Sequence, residues 1–144
     1  MGQQQLLLLV LGIVIVGLAV VVGIQAFGEN QAKANADALV NDGVRIASDA
    51  QAWALKPQAF GGGANNDAGD EFAGLSLAQL GYDDPYNNLN GTWVVVGDPG
   101  ASFVVEGCSA DNENQVIVTV EGTTSDDITT DVTTGSACVE GTAS

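Results

Sequence analysis

Few side chains in this 144-residue sequence are equipped for chemistry, and histidine is not among them. Imidazole acid–base catalysis and the histidine-containing zinc, haem and non-haem iron sites are therefore excluded. Cys108 and Cys138 are the only cysteines. With no CxxC spacing and no histidine to complete a redox or metal motif, a disulfide is preferred over a catalytic or metal-binding pair. Outside the reducing cytoplasm that bond would close a loop of about 30 residues and stabilise the fold by roughly 3–4 kcal/mol. Asp126, Asp127 and Asp131 offer oxygen ligands for calcium, but their spacing is not that of an EF-hand loop, and a solvated acidic surface is the simpler reading. Asn90-Gly91-Thr92 fits a glycosylation acceptor at Asn90; Asn-Gly is equally a turn signal, and the turn is preferred. The Thr- and Ser-rich stretch from Thr123 to Ser136 reads as a site for O-linked sugars or as a solvated β edge. Trp53, Trp93, Tyr82, Tyr86 and Phe103 are too scattered for a conducting stack or a sugar platform, and fit core or interface positions. No cofactor is expected.

The elements that position these residues divide sharply in character. Eighteen acidic and three basic side chains give a net charge of −15, which would repel a nucleic-acid backbone. No charged side chain occurs from Met1 to Gly28. From Leu6 to Ile24, nineteen consecutive residues (LLLLVLGIVIVGLAVVVGI) lack a polar side chain. As a helix this run spans roughly 28 Å, close to the hydrocarbon thickness of a bilayer. Three readings compete for it. A cleaved secretory signal would want a basic start and a shorter run, whereas the chain begins Met1-Gly2-Gln3-Gln4-Gln5, and Ala32-Lys33-Ala34 imitates a cleavage site only well past the apolar edge. The second reading is a single-pass anchor. The third is a helix that begins in the membrane and ends in a protein assembly. Gly12, Gly17 and Gly23 bear on that choice, because their spacing is not GxxxG and spreads points of close approach around the helix.

The periodicity continues past the apolar run. Ala32, Ala36, Leu39, Val40, Val44, Ala47, Ala50 and Ala54 recur every three to four residues, and no proline intervenes before Pro57. One helix over about residues 3–59 is expected, with an apolar part (1–27) and an amphipathic continuation (28–59). An acidic head (60–144) follows. Within it, 61–90 reads as loop, including Asn65-Asn66-Asp67, with a short helix or turn at Glu71 to Leu80 whose Leu75, Leu77 and Leu80 cover the core. Strands are expected at Thr92 to Val96, Ser102 to Glu106, Gln115 to Glu121 and Ile128 to Thr133. Val116, Val118 and Val120 share one face of the third. The fold class is thus α+β, with three or four antiparallel strands covered by the amphipathic half of the helix.

An uncharged apolar N-terminus, a long helix, a strand-rich body and a late cysteine pair resemble the type IV pilins. The start, MGQQQLLLLVLGIVIVGLAVVVG, and the segment LKPQAFGGG look like short-leader bacterial pilin-like proteins. The resemblance implies a lollipop-shaped pilin fold and extracellular filaments whose apolar helices stack at the centre. It implies passage through the inner membrane, a pilus assembly machinery, and a prepilin peptidase cutting after Gly2. Pilin leaders are usually longer and basic, and a glutamate usually stands at the fifth mature position, which here is Leu7. Gln3, Gln4 and Gln5 would then satisfy one another, or a neighbour's terminus, by hydrogen bonds.

The expected function is therefore the major structural subunit of a pilus-like homopolymer for adhesion or motility, not an enzyme. Gln3, Gln4, Gln5, Leu6, Leu7, Gly12, Gly17 and Gly23 are the expected assembly residues. The rivals are a membrane-anchored extracellular binding domain that never polymerises and a carboxylate-based hydrolase. The acids of this chain fall in loops and on polar faces, which speaks against the hydrolase.

Overall fold

The computed structural model describes residues 2–63, 69–135 and 138. Met1 of the expected leader, the Asn65-Asn66-Asp67 loop and Ser136 lie outside the described residues. Helix α1 spans Gly2–Leu55 without interruption. It stops four residues short of the expected end, and the cause is Pro57. A proline disfavours helical backbone at the residue before it, here Lys56. The Lys56 N–H instead bonds the Trp53 carbonyl at 3.0 Å, a tightened last turn, and a single 3-10 turn follows at Gln58–Phe60.

The chain forms two compact units, Met1–Lys33 and Ala34–Ser144. Glu29 and Lys33 cancel in the first, so the net charge of −15 falls on the second. The described part of the first unit is helix alone.

The second unit packs the C-terminal part of α1 on a five-stranded antiparallel sheet in the order β1-β2-β3-β4-β5. The strands are β1 (Tyr86–Asn87), β2 (Gly91–Val95), β3 (Phe103–Ser109), β4 (Asn114–Val120) and β5 (Ile128–Thr134). Four match the expected runs, with β3 continuing past Glu106 to Ser109. The fifth is β1, two residues paired with Trp93 and Thr92. It is too short to show any alternation.

Alternation on β4 sends Val116, Val118 and Val120 inward, where they are fully buried with Trp93, Phe103 and Val105. Leu39, Ile46, Ala47, Ala50, Trp53 and Ala54 of α1 cover this face, and Phe72, Leu75 and Leu77 complete the core, with Leu80 partly buried beside them. One position of the expected helix stripe is displaced. Val44 is exposed, and Gly43 takes the inward place. The reason is the Trp93 indole. A Cβ at Gly43 would lie 2.6 Å from that ring and 2.7 Å from Val118, and a Cβ at Gly107, opposite Trp93 in register, would also lie 2.6 Å from the ring. Two glycines thus form the slot that admits the largest fully buried side chain of the core.

Candidate functional site

The first unit supplies the largest unsatisfied surface. All fifteen of its large apolar side chains between Leu6 and Ile24 are 49–69 % exposed. α1 is long and apolar enough to cross a membrane. Gln3, Gln4, Gln5, Leu6 and Leu7 occupy its first turns and are exposed. Successive helical residues advance by about 100°, so the three glutamines fan around the helix. Among the described residues, no side-chain hydrogen bond joins them within the chain. Helical structure runs through Gly12, Gly17 and Gly23, and a Cβ at each would meet nothing within 4 Å. Ala32-Lys33-Ala34 is helical as well.

In the second unit, polar residues flanking the buried helix stripe clip the loops in place. Asn35 donates to Asp111 at 3.0 Å, in the β3–β4 turn. Asp42 accepts from Asn88 at 2.8 Å and from Asn90 at 2.6 Å, in the β1–β2 turn. Asp49 accepts the Tyr82 hydroxyl at 2.5 Å. Gln51 donates to the Gly122 and Thr124 carbonyls between β4 and β5 at 2.9 and 2.6 Å. Asn35, Asp42 and Asp49 recur every seven residues, a spacing the hydrophobic pattern does not reveal. Burial, and then the bond to Asp49, push the Tyr82 hydroxyl up to about 12. The Ser109 hydroxyl, then the Glu113 N–H and the Asn35 amide, hold Asp111 below the usual carboxylate range.

Asn90 serves the turn. The Asn88 side-chain oxygen accepts the N–H groups of Asn90 and Gly91, both at 2.9 Å, which closes an Asx turn. The Asn90 amide nitrogen, the atom a glycan would occupy, is already committed to Asp42.

Cys108 and Cys138 form a disulfide with a Cα–Cα separation of 5.7 Å. Beside it lies Glu106, a residue that periodicity alone did not single out. It is fully buried on the sheet face opposite the helix. Its Oε1 accepts from Gln115 at 2.7 Å and stands 3.9 Å from both sulfurs, while Oε2 has no hydrogen-bond partner among the described residues. The one sequence signal was a carboxylate two residues before Cys108, inside an otherwise apolar strand. Glu106, Cys108 and Cys138 bring possible metal-ligand atoms within 4.8 Å of one another, but the sulfurs are bonded to each other.

The three aspartates considered for calcium have separate positions. Asp127 caps the 3-10 turn Ser125–Asp127, accepting from the Thr124 N–H at 2.9 Å and its hydroxyl at 2.7 Å. Those bonds hold its carboxyl below the usual range. Asp126 is exposed in that turn, and Asp131 is exposed on β5 opposite Ile117. No family model, curated protein or solved structure matches this chain.

Proposed function

We propose that the chain is the major structural subunit of a type IV pilus-like extracellular filament, serving surface adhesion or motility. The observation that carries this reading is the uncovered apolar run from Leu6 to Ile24 on α1. Burying a large aliphatic side chain is worth about 1.5–3 kcal/mol. Fifteen of them outweigh the ~5–15 kcal/mol that holds a typical domain together, so water is not the resting place of this segment. Lipid receives it first. Moving it from lipid into a bundle of identical helices exchanges one apolar surrounding for another, and packing then sets the direction. The open positions at Gly12, Gly17 and Gly23 suit such a bundle, since each admits a neighbouring backbone. A head-to-tail contact that does not close extends into a helical polymer.

In this reading the subunit resides in the inner membrane, meets the assembly machinery and a peptidase acting after Gly2, and leaves as polymer. The head forms the outer surface, where its negative charge keeps filaments dispersed. The disulfide fits a head displayed outside the cytoplasm. Electron microscopy of material sheared from cells, with antibody against the head, tests the proposal. Thin labelled filaments are expected. Single copies retained in membranes and released only by detergent would instead establish a monomeric anchor.

A further inference from the structure

We propose that Glu106 is the proton acceptor for closing the Cys108–Cys138 disulfide, in a reaction with a disulfide-bearing oxidant that first engages Cys138. This stands apart from the filament reading, because it concerns only how the head acquires its cross-link.

The two sulfurs differ in access. Cys108 is 2 % exposed on β3, whereas Cys138 is half-buried, so an oxidant meets Cys138 first. The thiolate is the attacking species in disulfide exchange, and apolar burial disfavours it. Cys108 must therefore give up its proton inside the protein, away from water. Glu106 supplies an acceptor there. It is fully buried two residues before Cys108, so both project from the same face of β3. Its Oε1 is 3.9 Å from each sulfur, within reach of a thiol S–H, and the Gln115 amide fixes that oxygen at 2.7 Å. Thr92 and Val94 of β2 and Gln115 and Ile117 of β4 flank the pair in register, and none of them is charged. Exposed Asp131 of β5 lies one strand further out, opposite Ile117. The Cys138 N–H bonds the Asn112 carbonyl at 3.2 Å, which sets the β3–β4 turn, with exposed Asp111 and Glu113, beside it. Among the described residues, Glu106 alone brings a carboxylate oxygen within 4.8 Å of both sulfurs.

Closure takes two exchanges. Cys138, having lost its proton to solvent, attacks the oxidant's disulfide; it bonds to one sulfur, and the other leaves as a thiolate. Glu106 then takes the Cys108 proton as the Cys108 sulfur attacks Cys138. The Cys108–Cys138 bond forms, the mixed disulfide breaks, and the oxidant's second thiolate departs. Two thiols have lost two electrons, and one oxidant disulfide has gained them. The proton on Glu106 passes to water at the half-buried Cys138 edge, which restores the carboxylate.

The test uses full-length protein in detergent, reduced without denaturant, with oxidised glutathione as the oxidant. Thermal melting before the oxidant is added checks that each reduced head is folded. Acid quenching and mass spectrometry then separate reduced, mixed-disulfide and closed chains. Glu106→Gln is expected to leave mixed-disulfide formation within about twofold of wild type and to slow closure about 10²-fold at neutral pH. Wild-type closure should be flat between about pH 6 and about pH 8, whereas closure in Glu106→Gln should climb about tenfold per pH unit, tracking the thiolate. Glu106→Asp, which keeps a carboxylate, should restore the flat profile at a lower rate. Equal slowing of both steps in Glu106→Gln would mark a structural role and overturn the proposal. So would wild-type closure that rises with hydroxide, a reading that needs no variant. Faster capture of glutathione by Cys108 in Cys138→Ser than by Cys138 in Cys108→Ser would overturn the order of attack.

Discussion

One helix crosses both units, and its glycines mean opposite things on the two sides of Lys33. At Gly12, Gly17 and Gly23 there is open space where a side chain would go, whereas at Gly43 the place is filled by Trp93 and Val118. The first unit is apolar, uncovered and net uncharged; the second has a buried core and the whole net charge. The same secondary structure is therefore held by different forces. In the second unit the helix is fixed by what it packs against. In the first it is held by the helix's own backbone bonding, with its apolar side chains uncovered.

The strongest break in this comparison is at the indole. Trp93→Ala is expected to destabilise the head by about 3–5 kcal/mol, whereas Leu9→Ala leaves head melting unchanged; equal effects would mean the units do not melt independently. Replacing both cysteines, as Cys108→Ser with Cys138→Ser, is expected to cost roughly 3–4 kcal/mol, read as a lowered melting temperature that reductant no longer shifts further. A basic residue in the first unit acts on another observable. Ile15→Lys should oppose membrane insertion by about 2.5–3.5 kcal/mol, measured as protein lost from the membrane fraction, with head melting unaltered. The glycine contrast is smaller. Gly43→Ala should destabilise the head by about 1–3 kcal/mol through overpacking, whereas Gly17→Ala should leave head stability as it was and, if the proposed filament forms, impair only its packing; a neutral Gly43→Ala would refute the slot.

The smallest effect is a pH dependence confined to the second unit. Tyr82 has its folded value raised from 10.0 to about 12. Its contribution is fully present below 10 and is lost as pH rises towards 12, because the unfolded chain gives up its phenolic proton first. Tyr82→Phe should flatten that part of the stability–pH curve; an unaltered slope would assign the alkaline loss to other groups.

Regular patterns in the sequence predict most of this architecture. The alternation of Val116, Val118 and Val120 marks an inward sheet face, and the alanine-rich spacing from Ala36 to Ala54 marks the helix that covers it. What sequence reading misses depends on partners far along the chain. Val44 fits the helical stripe as well as any residue, yet the volume of Trp93 selects Gly43 for the inside. Glu106 looks like an exposed strand acid until the disulfide brings Cys138 back beside it. Asn35, Asp42 and Asp49 look like solvated residues because their acceptors and donors lie in distant loops. β1 has no periodicity to read, since its pairing is dictated by the already formed β2.

The seven-residue recurrence of those three polar residues has a mechanical consequence. Asn35 to Asp49 covers about 21 Å of helix axis, and seven residues fall about 20° short of two full turns. The grips therefore lie along a slowly winding line, not on one straight edge. Sliding the rod by a single residue would carry all of them roughly 100° off their mates at once. Twist and advance of this segment are thereby keyed together, as thread and nut are, and a pull on it is shared among three turns of the head.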